Sequence, residues 1–424
     1  MKFRGISRNV VALGWVSFFT DLASEALYPV MPLFLVGTLG ASPAILGLID
    51  GLAEGISSGL RWLGGALSDR FARRKPFVFL GYAISAISKP VMGLAQLAVG
   101  WPLFLIGRTA DRFGKSLRTA ARDALIADST EAQFRGKAFG LHRAMDTCGA
   151  ILGPLLTLLI VAALAGIGPT LHAQWNGTGT GGIAKLPLGW LFLFAVVPGL
   201  ISSALVLISV REIRPTEKTQ GGEPGPTAPS GRPAVFQSFP RPFWHLIIAN
   251  AVFSLANSSD SFLLLRSGEL GLGFASVILV YALYNAVYAL AATPLGNLSD
   301  RIGRKPILAC GWIVYAIVYG GFALWHSPAA PWVLLAIYGL YQALSEGVSK
   351  AMVSDLVPSA QRAGAIGLFY TVSGFGQLLA SLLAGLIWSI RPGGMVTALA
   401  IGAAFALLGV GMLRFVKTPS ASKT

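Results

Sequence analysis

The stretch Gly65-Ala-Leu-Ser-Asp69-Arg-Phe-Ala-Arg-Arg-Lys75 decides the fold, because the chain contains a close copy of it, Gly296-Asn-Leu-Ser-Asp300-Arg-Ile-Gly-Arg-Lys305. The two copies begin about 230 residues apart, and each lies between two long apolar runs. A short charged turn that occurs once in each half of an apolar chain indicates an internally duplicated membrane protein.

The apolar composition places the chain in a lipid bilayer. Of its 424 residues, 54% are hydrophobic and 12% are charged, and the mean hydropathy is +0.66. A soluble domain could not bury so many apolar side chains. Runs of roughly 20 apolar residues are long enough to cross about 30 Å of hydrocarbon as helices. Twelve such spans are predicted, at 11–37, 43–67, 76–98, 101–126, 137–164, 188–209, 242–265, 274–297, 306–326, 331–353, 363–389 and 394–416.

Positive charge is concentrated in alternate loops. The net charge is +15, and most of the bases lie in the two termini, the central loop and the loops on the same side. The opposite loops hold little beyond Lys185, Arg266 and Arg391. This asymmetry predicts a multi-pass protein of the cytoplasmic (inner) membrane with both termini in the cytoplasm. It also argues against a nucleic-acid partner, because the bases follow the topology of the chain.

The region 211–241 separates two halves. It is rich in Gly, Pro, Ser and Thr and cannot bury enough apolar surface to fold, so we interpret it as a flexible cytoplasmic linker. The predicted domains are an N-terminal six-helix bundle (1–210), this linker and a C-terminal six-helix bundle (242–424). The predicted fold is therefore an all-α membrane protein with twelve transmembrane helices in two pseudo-symmetric bundles.

The duplicated Gly-x-x-x-Asp-Arg-x-Gly-Arg-(Arg/Lys) turn resembles the signature of the major facilitator superfamily, in its prokaryotic type with twelve transmembrane helices. The resemblance covers the whole chain, because the helix count, the central loop and both copies agree with it. It implies a secondary transporter in which the turns and the neighbouring helices form a cytoplasmic charge relay that latches the outward-open state. An Asp and an Arg separated by six residues also recur in both halves. The expected gating residues are Asp69, Arg70, Arg73, Asp128, Arg135, Asp300, Arg301, Arg304, Asp355 and Arg362.

Two further stretches resemble motifs of antiporters. Leu105–Gly114 partly resembles the fourth-span motif whose Arg is linked to proton transfer in drug/proton antiporters, with Asp-Arg here in place of Gln-Gly. Gly149-Ala-Ile-Leu-Gly153-Pro154 resembles the fifth-span motif that is typical of antiporters. Its physical interpretation is a close helix contact with a proline kink, which needs no antiport. Both resemblances favour export over uptake.

Carboxylates in the first two spans are the candidates for proton coupling. A charge near the middle of a span costs roughly 2.5–3.5 kcal/mol on insertion scales, so it should face a cavity or a partner. Asp21 and Glu25 are four residues apart on the first span, and Asp50 and Glu54 have the same spacing on the second. Acids and bases crowded into one cavity perturb each other's protonation, which proton coupling requires.

The fourth span carries a row of bases. Lys115, Arg118 and Arg122 share one helical face, because steps of three and four residues return to the same side. The second half has neutral residues at the corresponding positions, so we expect the first half to bind an anionic or zwitterionic solute. The candidate substrate-binding residues of both halves are Arg108, Asp111, Lys115, Arg118, Arg122, His142, Asp146, Asn257, Asp260, Tyr281, Asn285, Tyr338, Gln342 and Glu346.

The sequence thus favours a secondary active transporter that moves a small solute by alternating access, coupled to protons and working as an exporter. The expected partners are the small-molecule substrate, protons and the lipid bilayer, and the expected state is a monomer. One alternative is a proton symporter for uptake of an organic or metal-chelating anion. Another is a non-transporting membrane receptor or sensor on the same scaffold.

A structural alternative remains for each charged residue inside the spans. Acids and bases can pair off as buried ion pairs, for example Glu25 or Glu54 with Arg118, without a role in transport. Enzymatic activity is not expected, because no nucleophile–base constellation and no nucleotide-binding loop stands out. Cys148 and Cys310 lie inside predicted spans, so neither a disulfide framework nor a metal cluster follows, and no cofactor is predicted.

Overall fold

The computed structural model describes residues 6–60, 71, 73–97, 100–131, 134–173, 182, 186–212, 239–358, 361–390 and 393–417. No strand occurs among these residues. The long helical segments of the first half are α1 (Arg8–Thr38), α2 (Pro43–Gly59), α3 (Lys75–Leu94), α4 (Trp101–Asp128), α5 (Arg135–Ala165) and α6 (Leu188–Ser209), and a short helix, Ile167–His172, follows α5. Those of the second half are α7 (Arg241–Ser254 and Ser261–Glu269), α8 (Phe274–Ile302), α9 (Arg304–Leu324), α10 (Ala330–Leu356), α11 (Arg362–Ile390) and α12 (Gly394–Leu413).

Eight of the described helices are long and apolar enough to cross a membrane by length and composition: α1, α3, α5, α6, α8, α9, α11 and α12. The other four have a visible reason for falling short. α4 and α10 carry charged side chains within their length, α7 is interrupted, and α2 has seventeen residues. Charged and broken helices of this kind are tolerated in a membrane where they line a cavity.

The two halves repeat one packing scheme. In the first half α1 packs on α5 and α6, α3 packs on α4 and α6, and α2 packs on α4. In the second half α7 packs on α11 and α12, α9 packs on α10 and α12, and α8 packs on α10. The halves meet along α2 and α11 and along α5 and α8, two interfaces that the internal symmetry exchanges. The predicted twelve-helix fold in two pseudo-symmetric bundles is confirmed.

Glycines allow the closest helix contacts. A methyl group at Gly149 would collide with the carbonyl of Phe18, and one at Gly153 would lie 2.7 Å from the amide nitrogen of Ala26. The fifth-span glycine motif therefore brings α5 against the backbone of α1, which is its physical interpretation from the sequence. The α2–α11 interface uses the same device at Gly47, which has no room for a side chain beside the Ser381 carbonyl.

Side chains fix the helix ends at the face where each half begins and ends, which we call the terminal face. Asn9 at the start of α1 donates from Nδ2 to the carbonyl of Arg211 at 2.9 Å and accepts from its amide at 2.9 Å, just after α6. Lys305 at the start of α9 donates to the carbonyl of Val416, after α12, at 2.9 Å. The other side of the molecule is the opposite face.

The seventh span differs from the prediction. A continuous helix over 242–265 was expected, but the structure has two pieces separated by residues 255–260. The break contains Asn257, Ser258, Ser259 and Asp260, whose short polar side chains compete with helical hydrogen bonds. Most of the predicted linker 211–241 lies outside the described residues, so the domain boundaries stay a prediction.

Candidate functional site

A polar cavity of about 400 Å³ lies between the two halves. Helices α1, α2 and α4 line it from the first half, and α7, α9, α10 and α11 line it from the second. Many of the residues that line this cavity are ionisable, which is unusual inside a membrane protein. The charged residues that line it are Glu25, Asp50, Glu54, Arg108, Arg112, Lys115, Asp260, Glu346 and Lys350.

The cavity reaches towards the terminal face. Its lining extends to Ser58 on α2, Lys350 on α10 and Phe369 on α11, close to the terminal-face ends of those helices. At the opposite face the halves are joined by hydrogen bonds that main-chain amides donate. The amide of Ala44 donates to Ser389 Oγ at 3.0 Å, and the amide of Phe274 donates to the carbonyl of Ala173 at 2.9 Å. The described residues therefore form a cavity that is closed at one face only.

Asp50 forms the floor of the cavity and joins the halves. Its Oδ1 lies 3.4 Å from Nη2 of Arg108 in the same half. Its Oδ2 accepts hydrogen bonds from Ser259 Oγ, in the break of α7, at 2.7 Å and from Ser261 Oγ, at the start of the second piece of α7, at 2.6 Å. The carboxylate is 4% exposed and faces the start of the second piece of α7, where a helix N-terminus favours negative charge. Loss of this charge would weaken the contacts that Asp50 makes with both halves.

Glu25 makes a second link between the halves. The hydroxyl of Tyr281 on α8 donates to Glu25 Oε2 at 2.6 Å. The ring of Tyr281 stacks on that of Tyr28 with centroids 5.3 Å apart, and the guanidinium of Arg108 lies 5.7 Å from the Tyr28 ring centre. Glu25 and Asp50 thus belong to one connected network through Tyr28 and Arg108.

Bases of α4 follow one another along the cavity wall. Nε of Arg112 lies 3.6 Å from Oε1 of Glu54. Lys115 lines the cavity about one turn further along α4, and its side chain is exposed. Among the described residues the Lys115 amino group has neither a hydrogen-bond nor an ion-pair partner. Its amino group is therefore available to a solute.

The second half contributes a tyrosine-rich wall. The hydroxyl of Tyr338 donates to Asp260 Oδ1 at 2.6 Å, and the Tyr338 ring packs against Tyr284 and Tyr341 with centroids 5.5 and 5.1 Å apart. Asn257 and Gln342 also line the cavity. Asn285 does not line it, because its Nδ2 donates to the Ala150 carbonyl across the α5–α8 interface. This wall offers hydrogen bonds and aromatic surface with a single acid in the break of α7.

Two of the three bases predicted to hold substrate lie away from the cavity. Arg118 is buried, with its guanidinium 4.5 Å from the ring centre of Tyr82. Arg122 pairs with Asp123 at 2.9 Å. The structure therefore places only Lys115 of this row in the cavity. It also pairs Glu25 and Glu54 with partners other than Arg118, which was the alternative considered from the sequence.

Lys89 is a buried base that the sequence analysis did not select. Its side chain is 2% exposed, donates to the carbonyl of Ser85 at 2.9 Å and lies 3.7 Å from Oδ1 of Asp111. Ser85 Oγ also donates to that carboxylate oxygen. The signal was present, because Lys89 is the one charged residue in the predicted span 76–98, where its cost predicts a partner. Asp111 is thus held by α3 rather than by the cavity.

A cluster on α5 also extends across the two halves. Asp146 accepts from Ser17 Oγ of α1 at 2.5 Å and faces Asp21. His142, one turn before it, is buried, and its Nε2 has no hydrogen-bond partner among the described residues. Arg143, which the sequence analysis also missed, lies 3.3 Å from Asp146 and 3.6 Å from Glu346 of the second half.

The duplicated turns make matching ion pairs. Nε of Arg74 lies 2.7 Å from Oδ2 of Asp128, and Arg304 pairs in the same way with Asp355. Arg304 also lies 3.4 Å from Asp300. Arg74, rather than the predicted Arg73, therefore corresponds to Arg304, and the first turn is one residue longer than the second.

The remaining predicted gating residues lie in several places. Arg73 and Arg301 are exposed at the terminal face, and Arg362 donates to the carbonyl of Ser354 at 3.1 Å. Asp69 and Arg70 lie outside the described residues, and so does the side chain of Arg135. Among the described residues the turns thus contact the ends of α4 and α10, and the relay stays a prediction.

These features define a class of protein: a helical membrane protein whose two related bundles enclose a charged cavity that the described residues close at one face only. The family model of the Major Facilitator Superfamily matches residues 13–266 and 261–424. An uncharacterised MFS-type transporter of Methanocaldococcus jannaschii is 38% identical over 399 residues, which are 92% of this chain and 90% of that protein. The chain belongs to the Major Facilitator Superfamily and is a multi-pass membrane transporter, which confirms the family resemblance.

Solved structures share the architecture. A POT family transporter in complex with 5-aminolevulinic acid superposes with a TM-score of 0.75 at 11% identity, covering 96% of each chain. A D-xylose–proton symporter superposes with a TM-score of 0.70 at 18% identity, covering 97% of each chain. At these identities the likeness shows the fold alone.

Proposed function

We propose that the protein couples the movement of a small anionic or zwitterionic solute to protons and exports it through the central cavity by alternating access. The observation that carries this proposal is the position of Asp50. One carboxylate accepts hydrogen bonds from the second half while it pairs with Arg108 of the first. A proton on such a group changes the contacts between the halves, and those contacts are what alternating access must rearrange.

The unpaired base in the cavity supports the charge of the solute. Asp50 and Glu54 already have Arg108 and Arg112 as partners, whereas Lys115 has none among the described residues. A carboxylate or phosphate on the solute would give Lys115 its counter-charge in a low-dielectric site. Asp260 and the tyrosine wall could hold a cationic or polar group at the other end of the same molecule.

Orientation follows from the distribution of bases. The terminal face carries most of the lysine and arginine outside the helices, so we assign it to the cytoplasm. The cavity then opens to the cytoplasm and can receive a cytoplasmic solute. Export as the net direction rests on the resemblance of the fourth- and fifth-span motifs to those of antiporters.

Flux measurements test the proposal. Purified protein in proteoliposomes is supplied with a panel of metabolites and drugs, with and without an imposed pH gradient. We expect an anionic or zwitterionic solute to accumulate against its gradient, moving opposite to the protons. A flux that is equal with and without the pH gradient would show that transport is not coupled to protons. Selective movement of lipophilic cations would replace the proposed substrate class with polyspecific drug export.

Symport for uptake is the second candidate, and Lys115 is the observation that favours it. A base open to the cavity suits a solute that enters together with a neutralising proton. The same assay separates the two candidates, because in symport the solute accumulates on the side to which protons flow. In antiport it accumulates on the side from which they come.

A further inference from the structure

Arg143 is the point nearest the terminal face at which described hydrogen bonds connect α5 with the second half. Towards the opposite face the same interface is joined at Ala150 and Asn285. At Arg143 the guanidinium donates to the hydroxyl of Tyr288 on α8 and lies 3.6 Å from Oε2 of Glu346 on α10. Tyr288 in turn donates to Glu346 at 2.5 Å. Three helices from two halves therefore meet in one cluster.

The same guanidinium also faces an acid of its own half. Nη1 of Arg143 lies 3.3 Å from Oδ2 of Asp146, and Asp146 faces Asp21 on α1. Two carboxyl groups that face each other favour a single shared proton, because both charged forms together repel. Arg143 thus contacts both an acid pair inside the first half and an acid of the second half.

We propose that Arg143 transmits the protonation state of the Asp21–Asp146 pair to the contact between the two halves. This inference rests on the proton coupling proposed above and names a residue through which it acts. When the pair loses its proton, the added negative charge draws Arg143 towards Asp146 and weakens its contact with Glu346. When the pair regains the proton, Arg143 is released to Glu346 and the cytoplasm-open arrangement is stabilised.

Other charged groups lie near the Asp21–Asp146 pair and near Glu346, and they influence which of these acids Arg143 contacts more closely. Around the acid pair these are Glu25 on α1, Lys115 and Arg122 on α4, and His142 on α5. Lys350 lies 3.7 Å from Glu346 on the same helix. Arg143 differs from all of them in contacting acids of both halves. Its contact with Glu346 is the one in this cluster that crosses between the halves as an ion pair.

Distance measurements on the purified protein test the inference without knowledge of the substrate. Cys148 and Cys310 are replaced by Ser, and spin labels are attached at Glu131→Cys and Pro358→Cys, exposed sites that follow α4 and α10. We expect the distance distribution to shift towards a closed cytoplasmic mouth as the pH is raised. Arg143→Gln and Asp21→Asn should each abolish this shift. Glu346→Gln, which removes the other member of the Arg143–Glu346 ion pair, should abolish it as well.

Lys350→Gln is the matched control, since it removes a base from Glu346 without removing a link between the halves. It should retain the pH-dependent shift. A shift that persists in both Arg143→Gln and Glu346→Gln would overturn the inference, and so would a wild-type distribution that does not respond to pH. Loss of the shift in Lys350→Gln would also overturn it, because the total charge around Glu346 would then suffice. Flux is also measured on the same wild-type protein with and without a pH gradient. If flux depends on the gradient while the Arg143 inference fails, the proposed proton coupling is retained.

Discussion

Asp50 and Lys115 show at the residue scale how differently two charges can be used in one cavity. Asp50 is buried and has acceptor contacts in both halves, whereas Lys115 is exposed to the cavity without a described partner. A hydrogen bond to a charged group contributes about 1.5–3 kcal/mol. Asp50 therefore stabilises a particular arrangement of the halves, and Lys115 retains its binding capacity for a ligand.

Neutralisation of Asp50 should uncouple transport from the proton gradient. Asp50→Asn leaves a side chain of the same size but removes the titratable charge between Arg108 and the serines of α7. We expect gradient-driven accumulation to be lost in proteoliposomes while downhill exchange of the solute persists, because exchange moves no net proton. Glu54→Gln is the control, since Glu54 pairs with Arg112 in its own half. Full accumulation by Asp50→Asn would exclude Asp50 as the coupling residue.

Removal of the free amino group of Lys115 should weaken binding of an anionic solute. Two opposite charges 4 Å apart attract by about 4 kcal/mol at an effective dielectric constant near 20. Part of this is offset by desolvation, so we expect Lys115→Ala to lower affinity by about tenfold or more, measured by calorimetry or by ligand-induced thermal shift. A lipophilic cation should bind equally well or better. Unchanged affinity for the anionic solute would show that Lys115 does not contact it.

The interruption of α7 and the duplicated turns are the decisive features at the scale of elements. Residues 255–260 leave the helix, and this break presents Ser259 and Ser261 to Asp50. The turns place Arg74 and Arg304 against the ends of α4 and α10. In both places a local departure from a straight helix lets a side chain reach a neighbouring element.

The register of the first turn gives a direct prediction. Arg74→Gln removes the ion pair with Asp128 and should lower the transport rate with little effect on expression, as Arg304→Gln should in the second half. Arg73→Gln should leave transport close to wild type, because Arg73 is exposed and Arg74, not Arg73, corresponds to Arg304 of the second turn. Transport rate per folded protein, quantified by size-exclusion fluorescence, is the measurement. A larger effect of Arg73→Gln would restore the assignment made from the sequence motif.

Whole-molecule geometry combines a closed opposite face with a cavity that reaches the terminal face. The interfaces α2–α11 and α5–α8 hold the halves together on two sides of the cavity. Glycines such as Gly47 let these helices approach each other closely. Two bundles related by an internal repeat can exchange which face is closed by a rigid-body movement about such interfaces.

Topology is testable on the intact cell. Both Cys148 and Cys310 are exposed, so they are first replaced by Ser. Lys218→Cys in the central loop and Trp175→Cys in the loop between α5 and α6 then serve as single labelling sites. An impermeant thiol reagent should label only the Trp175 site from outside, because the positive-inside rule places the central loop in the cytoplasm. Labelling of both sites from outside would contradict the assignment.

Hydropathy and the internal repeat determined the spans, the halves and the family. Every predicted span overlaps a helical segment among the described residues, and the longest interruption, over residues 255–260 of the seventh, falls where four polar residues follow one another. These features are local, because length and apolar content decide whether a segment crosses the bilayer. The carboxylates Glu25, Asp50 and Glu54 were likewise recognisable from their cost inside a membrane, and all three line the cavity.

Only the tertiary structure decided which charge meets which. The sequence grouped Arg118 and Arg122 with Lys115 on one face, but packing against Tyr82 and Asp123 takes the first two out of the cavity. It gave no sign that Arg143 would face Glu346, about 200 residues away in the chain. The physical reason is that a buried charge takes the partner that the packed helices bring within reach. The choice of partner depends on how the two bundles dock, and helical periodicity within one span does not predict it.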